Sequence, residues 1–347
     1  MNRSRIIEFV LLIAPILHAQ EPASCKSGLA RFQSGAFAAA QDLLWECVES
    51  RAGNENDAFY LALTYRPLKN YASGLVRANR LLKELPDNVD LLYIAAYLHY
   101  RQNETRESMI LTSKAYSLAP KDWRIQQLFA LNYISFNMLE AAKLSLQQAI
   151  AFKPDNAELQ YQLARVYFTQ GNYVASIEAS NKALAILPDY PEVYHNLALS
   201  YEGSGNVELA TQSFEKAIEL GKKYNKRDEW PLVDFADYQR MLGHPEECIK
   251  LLSEALNINP DSPKANYEMG ELQADLHNYD EARKYLEIAL KFDPCNAAAI
   301  YGLAIVTRRF GDVAKSRSYF NQFKEVDREN KESANGGKTC LAAEPAH

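Results

Sequence analysis

The sequence predicts an all-α fold of about nine antiparallel helix pairs. Three observations lead to this prediction: prolines recur every 34 residues, small side chains recur at fixed positions, and turn-forming residues recur between them. Six prolines define the period, with 72 residues between the fourth and the fifth: Pro86, Pro120, Pro154, Pro188, Pro260 and Pro294. A fixed period of this length indicates a repeat protein that grows by stacking, not a set of independent domains.

Placing those prolines at position 32 of each repeat defines nine repeats within residues 21–330. The repeats start at residues 21, 55, 89, 123, 157, 191, 229, 263 and 297. The 72-residue gap is four residues longer than two periods, and we place the extra residues as an insertion near 221–228, a lysine-rich stretch. Residues 331–347 are short of apolar side chains and are predicted to form a flexible tail.

Small side chains recur at two positions of every repeat. Position 8 is Gly or Ala in all nine repeats, and position 20 is Ala, Gly, Ser or Cys in all nine. Neighbouring helices approach each other closely only where side chains are small, so these positions predict the helix contacts. Position 15 holds residues that tolerate the left-handed conformation at the end of a helix: Gly35, Asn103, Asn137, Gly171, Gly205, Gly243 and Gly311.

With this period and these positions, the chain resembles the tetratricopeptide-repeat family over residues 21 to about 330. The resemblance is clearest in repeat 157–190, where seven residues occupy family positions: Leu163, Ala164, Tyr167, Gly171, Tyr173, Ala183 and Pro188. It implies a right-handed superhelical solenoid of paired helices, whose role is to hold other proteins.

The first 19 residues have the layout of a secretory signal peptide. Arg3 and Arg5 precede an apolar run over residues 6–17, and the mature chain is expected to begin near Gln20. We therefore predict a secreted or periplasmic protein of the bacterial type, with no membrane association once the signal is removed. The alternative is an N-terminal segment that stays uncleaved and anchors the chain in a membrane.

Five cysteines leave at least one that cannot pair within the chain. Cys25 and Cys47 are predicted to form a disulfide, because they occupy positions 5 and 27 of one repeat and so lie on facing helices. Closing this loop is worth roughly 3 kcal/mol on the chain-entropy estimate. Cys248 occupies position 20, where small residues recur, and is predicted to be a packed core thiol. The sequence leaves open whether Cys295 and Cys340 form a bond.

The sequence contains no signal for catalysis. H-E-x-x-H, G-x-S-x-G, Walker-type and C-x-x-C motifs are all absent, and the histidines fall in different repeats. We predict that the protein is not an enzyme and uses no metal and no cofactor. A net charge of −6 argues against nucleic-acid binding, which needs a basic surface to displace counterions.

The family resemblance implies where a partner binds, because positions 2, 5, 9, 12 and 13 of the first helices line the concave groove. Here many of these positions hold aromatic residues or arginine, which dominate protein-binding hot spots. The predicted partner-binding residues are Phe59, Arg66, Tyr93, Tyr97, Tyr100, Arg101, Tyr161, Arg165, Phe168, His195, Trp230, Arg240, Tyr267 and Tyr301. For any one tyrosine, packing between repeats is the alternative.

One known groove chemistry is not expected. Family members that bind chaperones hold a peptide carboxylate with Lys at position 5 and Asn at position 9, and neither occurs here. The function predicted from the sequence is therefore a non-enzymatic scaffold or adaptor that captures a polypeptide partner in its groove. The alternative is an accessory subunit of an envelope enzyme or of an outer-membrane or pilus assembly system.

Overall fold

The computed structural model of the protein describes residues 23–50, 55–226 and 228–334. Within these ranges it contains eighteen α-helices and no β-strand, which confirms the predicted all-α fold of helix pairs. The predicted signal peptide at 1–19 and residues 335–347 of the predicted tail lie outside the described residues. No helix in the described ranges is long and apolar enough to cross a membrane.

The chain divides into two compact units, the first ending at Asp155 and the second beginning at Asn156. The N-terminal unit contains α1 (Ala23–Gln33), α2 (Phe37–Ser50), α3 (Glu55–Leu68), α4 (Tyr71–Glu84), α5 (Val89–Arg101), α6 (Thr105–Leu118), α7 (Trp123–Ser135) and α8 (Leu139–Phe152). The C-terminal unit contains α9 (Ala157–Thr169), α10 (Tyr173–Ile186), α11 (Pro191–Gly203), α12 (Val207–Lys223), α13 (Trp230–Met241), α14 (Pro245–Ile258), α15 (Pro263–Asp275), α16 (Tyr279–Phe292), α17 (Ala297–Arg309) and α18 (Val313–Ala334). Odd-numbered helices are the first helices of the repeats, and even-numbered helices are the second.

Local side chains start and stop the helices. Asn88 accepts a hydrogen bond from the Leu91 amide at 2.9 Å, which caps the start of α5. The residue at position 15 has a positive φ in all nine repeats, which ends each first helix and turns the chain into the second. Seven of these residues are the predicted Gly and Asn, and the other two are Lys69 and His277.

Small residues let the helices of a repeat meet, as the pattern at positions 8 and 20 predicts. Gly74 of α4 faces the ring of Tyr65 on α3, and a Cβ on Gly74 would lie only 2.5 Å from that ring. The Tyr65 hydroxyl in turn accepts a 2.8 Å hydrogen bond from Trp45 Nε1 on α2. An alanine at residue 74 would therefore displace a fully buried tyrosine that also joins two repeats.

The insertion between repeats 6 and 7 forms extra helix and a turn. With 17 residues, α12 is longer than the neighbouring second helices, which have 14, and the turn residue Asn225 has a positive φ of 51°. Three lysines tie this segment to acids elsewhere in the C-terminal unit: Lys222 to Glu254 at 2.7 Å, Lys223 to Asp189 at 2.6 Å, and Lys226 to Glu192 at 2.7 Å.

The cysteines differ in state between the two units. A disulfide joins Cys25 of α1 to Cys47 of α2, with Cα atoms 5.1 Å apart. Cys248 on α14 is a free, buried thiol. Cys295 is disulfide-bonded, and Cys340, which the sequence leaves open as its partner, lies outside the described residues.

Candidate functional site

The predicted binding residues divide between the two units and differ in exposure. In the N-terminal unit, Phe59, Tyr93 and Tyr97 are buried, Tyr100 and Arg101 are half-buried, and Arg66 is exposed. In the C-terminal unit, three are exposed and five are half-buried: Arg165, Trp230 and Tyr301, then Tyr161, Phe168, His195, Arg240 and Tyr267. The residues available to a partner are therefore concentrated in the C-terminal unit.

In the N-terminal unit the first helices pack on one another through their aromatic side chains. The Phe59 ring of α3 lies 4.9 Å from the Trp123 ring of α7, edge to face. Between these helices runs α5, whose residues from Leu91 to Leu98 are all buried, and on it Tyr93 stacks with Tyr97 at 6.5 Å. These three predicted binding residues therefore belong to the packed interior of the unit.

A buried cation completes this packing. Arg124 of α7 is only 2% exposed and lies 5.1 Å from the centre of the Tyr93 ring. Its guanidinium donates to Asp90 at 2.7 Å and to Asp122 at 2.5 Å. Burial by itself lowers the pKa of Arg124, but the hydrogen bonds and charges of Asp122 and Asp90 raise it above its ordinary value. The guanidinium therefore stays charged and holds α5 and α7 together.

In the C-terminal unit, polar contacts connect the first helices α11, α13 and α15. His195 Nε2 of α11 lies 2.8 Å from Asp234 Oδ2 of α13. Arg240 of α13 donates to Asp237 at 2.9 Å and approaches Glu268 of α15 at 3.5 Å. The three helices thus present one continuous polar surface.

This surface carries more acids than bases. Seven carboxylates lie on α11, α13 and α15. Glu192 pairs with Lys226, and we call the other six the acidic face: Glu202, Asp234, Asp237, Glu268, Glu271 and Asp275. Among the contacts of these acids, the permanently charged partners are Arg240 and Lys264, which lies 5.7 Å from the centre of the Tyr267 ring. The acidic face therefore has an excess of four carboxylates over permanent cations.

The pKa values on the acidic face reflect this crowding. Burial raises the pKa of Glu202, and the charges of Asp237 and Asp234 raise it further. Burial, and then the charge of Asp275, raises the pKa of Glu271. Partly buried carboxylates beside other carboxylates hold their negative charge at a cost in free energy.

Glu268 is the most buried member of the acidic face, at 2% exposure. Lys264 donates to its Oε1, while Oε2 is buried and has no hydrogen-bond partner. Burial raises the pKa of Glu268 despite the opposing effect of Lys264 and Arg240. Glu268 and Asp234 occupy position 6 of their repeats, which the sequence-based prediction did not include among the groove positions.

Aromatic side chains flank the acidic face. Trp230 at the start of α13 is 50% exposed, and Tyr301 on α17 is 46% exposed and contacts Phe323 of α18 at 5.3 Å. On α9, Tyr161 packs against Tyr190 at 5.4 Å, and Arg165 lies 5.8 Å from the centre of the Tyr161 ring. Exposed aromatic rings next to charged groups are typical of protein-binding surfaces.

A cavity of about 470 Å³, including its open mouth, lies among α11, α12, α13 and α14 beside the insertion. Apolar side chains of Ile218, Pro231 and Leu232 form part of its wall, while Glu192 and His195 stand among its polar lining residues. His195 also contacts the acidic face through Asp234, and the cavity and the face share α11 and α13. An apolar wall with a charged rim suits a side chain that has an apolar stem and a polar end.

Two features of the described residues bear on catalysis and metal binding: the Cys248 thiol and one cluster of metal-ligand residue types. Burial raises the pKa of the Cys248 thiol to about 11, so a reactive thiolate is scarce at neutral pH. Among the described residues, Cys25, Cys47 and Asp57 form a cluster of residue types that can bind a metal ion. Both of its sulfur atoms are joined in the disulfide, so this group does not fit a metal ion.

Three family models match the chain, all in the C-terminal unit. A model described as TPR repeat matches residues 164–205, and two described as tetratricopeptide repeat match residues 191–223 and 239–304. None of the three describes a catalytic family. No curated protein matches the chain.

Among the solved structures that are similar to the chain, two align with most of it at low sequence identity. The crystal structure of the APC/C hetero-tetramer Cut9-Hcn1 aligns with 87% of this chain and 72% of its own, at 13% identity and a TM-score of 0.61. A tetratricopeptide repeat protein from Parabacteroides merdae aligns with 82% of this chain and 97% of its own, at 15% identity and a TM-score of 0.54. These likenesses support the fold, and the family models match tetratricopeptide repeats in residues 164–223 and 239–304, within the range that the sequence predicts.

Proposed function

We propose that this tetratricopeptide-repeat protein is a non-enzymatic scaffold that captures a polypeptide on the first helices of its C-terminal unit. The observation that carries the proposal is the exposure of Arg165, Trp230 and Tyr301 on three first helices of that unit. Large aromatic and arginine side chains contribute most to protein-binding energy because each buries a large area and retains hydrogen-bonding groups.

The burial of the corresponding residues in the N-terminal unit limits the proposed surface. Tyr93 and Tyr97 are 1% and 5% exposed, so a partner would have to separate packed helices to reach them. We therefore assign capture to the C-terminal unit and a packing role to Phe59, Tyr93 and Tyr97.

Capture by this surface is tested with the purified protein as bait and an envelope extract of the source cell as prey. The test variant is Arg165→Ala/Trp230→Ala/Tyr301→Ala, in which all three side chains are exposed. We expect the partner, identified by mass spectrometry, to be recovered at least tenfold less than with the wild type, as for hot-spot residues.

A matched variant controls for the loss of exposed arginine and aromatic side chains. Arg106→Ala/Tyr116→Ala/Phe292→Ala removes one arginine and two aromatic rings that are exposed on second helices. It should recover the partner as well as the wild type does. Equal recovery by the test variant and the wild type would exclude this surface as the capture site.

We further propose that the protein acts outside the cytoplasm. The proposal is supported by the signal-peptide layout of residues 1–19 and by the Cys25–Cys47 disulfide, since disulfides persist in oxidising compartments. Intact mass of the protein purified from its own cell, before and after reduction, measures both the N-terminus and the bond. A retained Met1 would favour the anchored alternative.

A further inference from the structure

We propose that the acidic face binds a basic polypeptide segment, one that carries lysine or arginine side chains. This inference rests on the proposed capture of a polypeptide by the C-terminal unit, and it names the chemistry of the partner. It concerns α11, α13 and α15, with the exposed rings of Trp230 at the start of α13 and Tyr301 on α17.

The charge of the face is the first reason. The whole chain is close to balance, with 44 acidic and 38 basic residues, whereas the acidic face places six carboxylates against Arg240 and Lys264. Positive charge brought by a partner would offset a repulsion that the fold leaves uncompensated. An acidic segment would add to that repulsion.

The state of individual carboxylates is the second reason. The side-chain carboxylates of Glu202 and Glu271 form no hydrogen bond or ion pair within the described part of the chain, and burial raises the pKa of both. Glu268 is only 2% exposed. Its Oε2 has no hydrogen-bond partner, although Arg240 Nη2 lies 3.5 Å away. The cations within the fold therefore do not satisfy the carboxylates of the face.

The aromatic side chains give an independent reason. Trp230 and Tyr301 expose about half of their surface, and Tyr267 already has the Lys264 ammonium 5.7 Å from its ring centre. Aromatic faces attract lysine and arginine through the ring quadrupole, and more strongly where water is excluded. The acids of the face, with exposed rings on α13 and α17, are thus complementary to one kind of side chain.

The cavity beside α11 offers an apolar wall for the stem of such a side chain. Its wall contains Ile218, Pro231 and Leu232. Of its charged lining residues, Lys226 pairs with Glu192 and Lys222 with Glu254, and the carboxylate of Asp228 lies beside the apolar wall. Lysine and arginine place several methylene groups against apolar surface while their charged ends stay in a polar environment. One basic side chain of the segment could therefore occupy the cavity while others contact the acidic face.

The test uses a phage-displayed library of random 12-residue peptides, selected on the immobilised wild-type protein. Enriched peptides are then synthesised with a fluorescent label and their affinities measured by fluorescence anisotropy. We call a peptide surface-dependent when it binds the variant Arg165→Ala/Trp230→Ala/Tyr301→Ala at least tenfold more weakly than the wild type. We expect these peptides to carry a net positive charge, and their affinity to fall as salt is raised from 50 to 500 mM.

Glu202→Gln/Glu271→Gln tests the carboxylates directly, because it removes two charges without changing side-chain size. We expect it to weaken the binding of these peptides at least tenfold. Glu215→Gln/Glu287→Gln removes two charges from exposed positions on α12 and α16, and should change their affinity less than twofold. Thermal melting of both variants verifies that they are folded.

The outcomes separate this inference from the function on which it rests. Surface-dependent peptides that are neutral or acidic would overturn the basic-segment proposal and leave capture by the C-terminal unit standing. Basic peptides that bind Glu202→Gln/Glu271→Gln as tightly as the wild type would overturn it as well. The absence of any surface-dependent peptide would count against both proposals.

Discussion

The two units use the same repeat position in opposite ways. Tyr93 and Tyr301 both occupy position 5 of a first helix, yet Tyr93 is 1% exposed and Tyr301 is 46% exposed. In the N-terminal unit, Phe59 of α3 contacts Trp123 of α7 across α5, and both rings are buried in the hydrophobic core. The comparison teaches that a repeat position indicates the face on which a side chain lies, while the neighbouring first helices decide whether that face is covered.

The two units also differ in how completely their charged side chains are paired. In the N-terminal unit one buried arginine, Arg124, pairs with two aspartates, Asp90 and Asp122, so both carboxylates have a permanent cation as partner. In the C-terminal unit the acidic face carries more carboxylates than its cations can pair. Buried charge is satisfied in the packed unit, and uncompensated charge remains on the open one, where a partner could reach it.

The largest expected effect comes from truncating matched tyrosines in the two units. Tyr93→Ala should destabilise the protein by about 3–4 kcal/mol, because it leaves a cavity in a packed interior beside Arg124. Tyr301→Ala should cost about 1 kcal/mol, because roughly half of its side chain is already in water. Urea denaturation followed by circular dichroism measures both. Equal losses would remove the distinction between the packed and the open unit.

The disulfide gives a second way to separate the units. Cys25→Ala/Cys47→Ala should lower the stability of the N-terminal unit by roughly 3 kcal/mol, because the bond restricts the unfolded chain. Repeats contact only their neighbours, so the loss should stay local. Hydrogen exchange followed by mass spectrometry should detect faster exchange in α1 to α4. Comparable acceleration in α13 to α16 would show that the units do not respond separately.

The smallest expected effect concerns Glu202. Since its pKa is raised in the folded state, its carboxylate destabilises the fold above that pKa, and this cost disappears as the pH falls through it. Glu202→Gln should therefore raise the stability by about 0.5 kcal/mol at pH 8 and have no such effect at pH 3.5. The melting temperatures at both pH values measure this.

The exposed Glu215→Gln on α12 is the control for that measurement. It should change the melting temperature equally little at both pH values. A pH-independent effect of Glu202→Gln would mean that the charge of Glu202 does not destabilise the folded protein. Its contribution to stability would then be like that of the carboxylates on the second helices.

Part of the candidate site was predictable from the sequence, and part was not. The groove positions included His195, Trp230, Arg240 and Tyr267, which the structure places on or beside the polar surface of the C-terminal unit. They omitted Asp234 and Glu268, because position 6 is not among the family's groove positions. Their acidic character at successive first helices was the available signal. Trp123, at position 1, gave no signal, since its role depends on contact with Phe59 two repeats earlier.

The sequence by itself determined the repeat, because the period of prolines, the small residues at positions 8 and 20 and the turn residues at position 15 are all local requirements. Only the tertiary structure decided that Lys69 and His277 adopt the left-handed turn without Gly or Asn, since the flanking helices impose that geometry. It also decided which aromatic side chains are core and which are surface. Burial depends on how closely consecutive first helices approach, which results from packing between repeats that are far apart in the sequence.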